Sequence, residues 1–420
     1  MSARLISSFA VAAAAATIAL VAQAAGQVPA TADDPALIAR ARAIHDRVIT
    51  LDTHNDIEPA TFTTACNYTM RLTTQVNLPK MVEGGLDVSF MIAYVGQGPL
   101  TDEGYANAYR QVVAKFDAVH RLAEQIAPRE VGLALTPDDV LRIAKSGRKV
   151  AVIGIENGYP IGTDIWRVRE FYERGGRYLS LAHNGHNQLS DSNTGENTND
   201  APNGGVSPLG REVIAEMNRL GMMLDVSHPS KASMMQTVAL SKAPIIASHS
   251  AVRTLANHSR NMDDEQLRAL KKTGGVIQVV AFANYVKVNP NPAGGRGRGG
   301  TGGGANGARG ATETSPCPIE GADATPAPVN PDRATVKDFV DHIDYAVRLI
   351  GIDHVGISSD FDGGGGITGW NSAAETFNVT LELVQRGYSE EDIGKLWSGN
   401  LLRVWREVEK VARKLQSEGK

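Results

Sequence analysis

The sequence predicts an α/β chain folded as a closed (β/α)8 TIM barrel of the metal-dependent hydrolase type. Three observations carry that expectation. Eight short β-branched or apolar runs alternate with amphipathic helical patterns, and strands joined by helical crossovers make a parallel sheet covered on both faces. Six of those runs end in a histidine or a carboxylate, which a barrel would gather on the C-terminal rim where such folds keep their active sites. No G-x-G-x-x-G or P-loop pattern stands at a strand-to-helix junction, so an open, doubly wound sheet lacks its usual nucleotide-binding signature.

In chain order, residues 1–25 read as a secretory signal. Arg4 supplies a positive start, Phe9 to Val21 is apolar and small apart from Thr17, and Ala22-Gln23-Ala24 is a small-x-small cleavage site. The apolar run is short for a membrane span and ends in small residues instead of a charged stop. Export to the periplasm or medium, with no membrane anchor after signal removal, is therefore expected. The charged C-terminal stretch from Arg403 to Lys420 does not resemble a lipid-anchor signal either.

Residues 26–420 are expected to form a single catalytic domain. A leading helix is expected over Asp34–Arg47. Strands are expected at Val48–His54, Leu86–Tyr94, Val150–Glu156, Tyr178–His183, Met222–His228, Pro244–His249, Gly275–Phe282 and His354–Asp360. Helical patterns cover Glu103–Ile126, Pro137–Lys145, Asp164–Glu173, Leu209–Leu220, Asp264–Lys272, Ala334–Ile350 and Leu381–Val411.

Asn289 to Arg333 breaks the rhythm with Gly, Pro and Ala, densest from Gly294 to Gly304. Such composition buries too little apolar surface to offset the entropy of ordering. Following the seventh expected strand, this insertion would stand on the catalytic face. A mobile lid and a functionless insertion both fit it. Cys66 and Cys317 lie in loop-like sequence, and both a disulfide and two free thiols fit them.

Composition narrows the partners. Hydrophobic residues make up 42% of the chain, enough for a large core, and the net charge is −4 with basic residues scattered. Such a chain has no field to draw nucleic acid, so a small-molecule substrate is expected instead.

The strand ends hold the chemistry. His54 and Asp56 are two residues apart, so an extended strand projects both to one side, where a single cation could take a nitrogen and an oxygen. Imidazole and carboxylate without thiolate suit Zn2+, with Mn2+ or Co2+ as replacements. His228 and His249 end two later strands, and Glu156 ends the strand between the two groups. Three histidines and two carboxylates are too many for one open tetrahedral site but about right for two ions bridged by Glu156. A hydroxide shared by the ions would then be the nucleophile.

Several runs together resemble the membrane (renal) dipeptidases and their bacterial relatives, from Val48 to about Val408. They are Asp52-Thr53-His54-Asn55-Asp56, Tyr178-Leu179-Ser180-Leu181-Ala182-His183 and Asp225-Val226-Ser227-His228-Pro229. Ser248-His249-Ser250, Ser259-Arg260-Asn261, Asp353 through Gly363 and Asn400-Leu401-Leu402-Arg403-Val404 complete the set. The resemblance implies a binuclear zinc dipeptidase acting on small peptides, L,D- as well as L,L-, and a tendency to form homodimers. It assigns His54 and Asp56 to one zinc, His228 and His249 to the other, and Glu156 to the bridge.

The same resemblance makes His183 the residue that polarises the scissile carbonyl and Asp360 the carboxylate that carries the proton. Arg260 and Tyr285 would hold the substrate's terminal carboxylate, for which a planar two-pronged guanidinium is well shaped. Asp360 could equally be a sixth metal ligand. Thr53, Ile57-Glu58 and the His186-Asn187 pair depart from the family pattern, so Glu58 and His186 could tune substrate choice or merely decorate the rim. An amidohydrolase of N-acyl amino acids, lactones or related small molecules is the alternative reading.

Overall fold

The structure, a computed structural model, describes residues 34–288, 317–321 and 332–419. The expected signal and most of the Gly-rich insertion lie outside the described residues. Among the described residues, nine parallel strands form one sheet: β1 (Leu51–Asp56), β2 (Val88–Tyr94), β3 (Val131–Leu133), β4 (Lys149–Glu156), β5 (Gly176–Ser180), β6 (Met223–Asp225), β7 (Ile246–Ser250), β8 (Val276–Val280) and β9 (Val355–Ser358). Eight of them follow in the order β1-β2-β4-β5-β6-β7-β8-β9, and β3 pairs with the start of β4.

The eighth strand returns to the first. Asn55 bridges Phe361, whose carbonyl accepts the Asp56 N–H at 2.9 Å. Side chains stitch the same seam: Asp52 Oδ1 accepts the Ser359 N–H at 2.9 Å, and Asn55 Nδ2 donates to Ser359 Oγ at 2.9 Å. The result is a nearly closed (β/α)8 barrel, as the alternation of runs predicts.

One end of the barrel is packed shut. Val88, Phe90 and Ile92 alternate along β2 with Met91 and Ala93 and join Leu51, Val150, Val152, Tyr178, Leu401 and Trp405 in one buried cluster. The Tyr178 ring fits because β4 carries Gly154 beside it, where a Cβ would come within 2.4 Å of the ring. The helix Asn400–Glu418 covers the N-terminal mouth. Asn400 Nδ2 donates to the carbonyls of Ile352 and Val355, and Arg403 donates to those of Gly274 and Asp353. The opposite mouth is left for chemistry.

One local expectation is corrected and two elements are added. The helical pattern over Leu381–Val411 breaks at Gly387, whose φ of 86° stops one helix before Ser389 caps the next. The short strand β3 has too few residues to show a period. Lys231–Leu240 is a helix although its Ala, Met, Thr and Val positions give no polar face to reveal it.

Within the insertion, residues 317–321 are held against the rest of the chain. Cys66 and Cys317 form a disulfide, with Cα atoms 5.4 Å apart. Beyond it Ile319 bridges Leu72, Thr73 donates to the Pro318 carbonyl at 2.7 Å, and Glu320 pairs with Arg71 and Lys80. Residues 317–321 are thereby pinned to the loop after β1.

Candidate active site

Every residue singled out at a strand end stands at the open mouth. His54 and Asp56 come from β1 and Glu156 from β4. His249 comes from β7, while His183, His228 and Asp360 follow β5, β6 and β9. The chain turns sharply here: Asn157, after Glu156, has φ 77°, and Asp360 has φ 59°. Left-handed backbone at non-glycine residues stores strain that the surrounding fold must hold. Gly363 lets the Asp360 and Asp56 carboxylates approach one another, since a Cβ there would lie 2.2 Å from Asp360 Oδ1 and 2.8 Å from Asp56 Oδ2.

Glu156 is the hub. Its carboxylate lies 2.8 Å from His228 Nε2, 3.3 Å from His249 Nε2, 3.5 Å from His54 Nε2 and 3.8 Å from His183 Nε2. Ligand-type atoms gather in three overlapping groups among the described residues: His54, Glu156 and His249; Glu156, His183 and His228; and His54, Asp56 and Asp360. Asp360 therefore shares a cluster with His54 and Asp56, which keeps it near both roles considered for it.

These residues fit metal ions. Asp56 Oδ1 is buried with no hydrogen-bond partner, a costly state for a carboxylate unless a cation satisfies it. The outer nitrogens of the histidines are already engaged: His54 Nδ1 with Tyr178 Oη at 2.9 Å, His249 Nδ1 with Ser248 Oγ at 2.8 Å, and His228 Nδ1 with Asn184 Oδ1 at 3.1 Å. Metal-ligating imidazoles characteristically have that outer support.

Burial and charge set the protonation states. Burial would raise Glu156, but His183, His54 and His228 hold it well below the usual carboxylate range. Burial would lower His54, yet Glu156, Asp360 and Asp56 carry it up to about 9. Burial, reinforced by Glu156, raises Asp56 to about 6 against the pull of His54. Asp360 is pushed to about 8 by burial and by the Asp56 and Glu156 charges, with His54 and Arg260 opposing. Burial and the Arg260 and His54 charges bring His183 down to about 4.

Arg260 lies behind the histidines, 3% exposed. Nη1 donates to the Ser227 carbonyl and Nη2 to that of His249 at 3.0 Å, while Nε is buried without a partner. Tyr285 follows β8, its ring 5.4 Å from the guanidinium carbon and stacked on Phe282 at 4.2 Å. His186 is tied between Asp191 and Asp200, both at 3.4 Å, inside the loop that also anchors His183 and His228 through Ser192 and Asn193. Glu58 is exposed. The residues that sequence reasoning missed stand behind the histidines: Tyr94, Tyr178, Asn184 and Ser248 meet the rings, and Asp225 accepts from Ser248.

The chain resembles known dipeptidases in sequence and in fold. The family model described as membrane dipeptidase, peptidase family M19, matches residues 38–419. The dipeptidase tcpJ of Claviceps purpurea is 32% identical over 350 residues, covering 82% of this chain and 72% of that protein. The dipeptidase aclJ of Aspergillus oryzae is 31% identical over 381 residues, covering 88% and 80%. A crystal structure of the probable dipeptidase PvdM from Pseudomonas aeruginosa matches with a TM-score of 0.77 at 33% identity, over 90% of this chain and 99% of that one.

Proposed function

The chain belongs to the membrane dipeptidase family, peptidase family M19, and from that premise we propose that it cleaves dipeptides with two zinc-class ions held around Glu156. The enzyme is a metallopeptidase. The convergence of four imidazole Nε2 atoms on one buried carboxylate is the observation that carries the finer reading. His54 and Asp56 would hold one ion, His228 and His249 the other, and Glu156 both. Bound there, such ions supply Lewis acidity and lower the pKa of water.

The chain's own groups do the rest. Asp360, with its pKa near 8 before any ion is bound, suits a group that takes a proton from water and returns it to the leaving amine. His183 faces the carbonyl oxygen and stabilises the charge that develops on it. Arg260 keeps an unspent Nε donor and a full positive charge close to the site, and with Tyr285 it would hold the substrate's terminal carboxylate. Acceptance of L,D- as well as L,L-dipeptides belongs to the same proposal.

Export to the periplasm or medium is part of it too, supported by the Cys66–Cys317 disulfide, because such bonds persist in oxidising compartments. Homodimer formation stays an expectation of the resemblance.

The test is an assay of L-Ala-L-Ala, L-Ala-D-Ala and their N-acetyl forms, before and after chelation, with metal counted in the same samples. Two ions per chain, and dipeptide hydrolysis lost on chelation and restored by zinc, are expected. Bound metal with turnover of only the N-acetyl substrates would replace the dipeptide reading by the amidohydrolase one. Absence of metal and activity together would overturn the ligand assignment.

A further inference from the structure

Four histidines point Nε2 at Glu156, and from that side they are alike. His183 even belongs to a group with Glu156 and His228 whose spacing could hold an ion. The opposite nitrogen separates them. Tyr178 Oη has one hydrogen and gives it to the Thr53 carbonyl at 3.0 Å, so towards His54 Nδ1 it is an acceptor. Ser248 Oγ gives its hydrogen to Asp225 Oδ2 at 2.7 Å and accepts from His249 Nδ1. Asn184 Oδ1, 3.1 Å from His228 Nδ1, only accepts. Each of these three imidazoles therefore keeps a hydrogen on Nδ1, which leaves Nε2 to serve as the ligand atom once any proton on it is displaced, as it must be at His54.

His183 meets a partner of the other kind. Its Nδ1 lies 3.4 Å from Tyr94 Oη, and that hydroxyl touches no other acceptor among the described residues. With no other acceptor in reach, we assign the phenol hydrogen to Nδ1, which leaves the imidazole hydrogen on Nε2. The rings are held together, with centroids 4.6 Å apart. His183 is also the most open of the four, its side chain 16% exposed against 1–4% for the other three.

We propose that Tyr94 is a positioning residue that holds His183 as an Nε2–H donor and so keeps it out of the metal shell. The inference rests on the dipeptidase reading and deepens it, because a histidine that polarises a carbonyl must offer a hydrogen where a ligand must offer a lone pair. Asp225, Ser248, Tyr178 and Asn184 act in the opposite sense on the ligands. One strand-end motif, repeated around the barrel, is sorted into two chemistries by what stands behind each ring.

The experiment is long-range 1H–15N NMR of the zinc-loaded full chain labelled at histidine nitrogens, with the His183 signals identified by their loss in His183→Gln. A hydrogen on Nε2 and a bare Nδ1 are expected for His183, and the reverse for His54, His228 and His249. In Tyr94→Phe the His183 pattern should move towards the other tautomer. Bound metal should be unchanged, kcat should fall about tenfold, and KM should stay within about twofold. A His183 with hydrogen on Nδ1 and an Nε2 resonance that shifts on chelation would overturn the proposal, as would loss of an ion from Tyr94→Phe. The tautomer readout needs no turnover, so it stands apart from failure of the dipeptidase reading.

Discussion

His228 and His249 bring their Nε2 atoms to 2.9 Å of one another, and in the tautomers inferred above neither nitrogen carries a hydrogen, because each ring turns its own to Asn184 or Ser248. Two lone pairs that face each other beside Glu156 repel unless a cation takes them both. Metal removal should therefore destabilise the fold as well as stop catalysis. Ions present at a thousandfold excess over their dissociation constant add about 4 kcal/mol to unfolding. Thermal unfolding with and without chelator reads this directly, and an unchanged midpoint would count against a metal at this pair.

Metal affinity should rise with pH. The His54 imidazole holds its proton up to about 9 and the Asp56 carboxyl up to about 6 without the ion, so binding must displace protons. Below those values each displaced proton costs about tenfold in affinity per pH unit. Affinity should climb steeply from pH 5 to 6, more gently from 6 to 9, and level off beyond. Zinc competition titrations at intervals of one pH unit would show it, and a flat profile would remove His54 and Asp56 from the ligand set.

Arg260→Lys should separate recognition from chemistry. Lysine keeps the charge but loses the fork that reaches the Ser227 and His249 carbonyls while leaving Nε free. A charge-assisted contact is worth about 1.5–3 kcal/mol, so KM for a dipeptide should rise about ten- to hundredfold. The preference for a free carboxylate over the C-terminal amide should shrink with it. Equal losses on both substrates would mean that Arg260 only braces the strands.

Cys66→Ser should cost about 2–4 kcal/mol, the usual contribution of a disulfide. The loss should be local at first, since Cys317 carries residues 317–321 onto Leu72 and Thr73. Hydrogen exchange at the Thr73 and Glu320 amides should quicken before exchange at the barrel strands. Protection retained at both amides would show that the backbone pairing holds that segment without the bond.

Much of this protein is written locally. Strand runs, the terminal His or carboxylate of each, and the two-residue spacing of His54 and Asp56 follow from short-range periodicity, so the barrel and the members of its rim were legible from residue order alone. Helix ends were less so where one glycine decides them, as at Gly387. Only the tertiary structure decided what stands behind each rim residue. Tyr178 reaches His54 from a strand more than a hundred residues away, Asp225 and Ser248 meet across β6 and β7, and Cys317 returns to Cys66 over 251 residues. Such contacts depend on register and closure around the whole barrel, which no local pattern encodes. The groups that stand behind each ring, and with them the tautomers inferred above, follow from that closure.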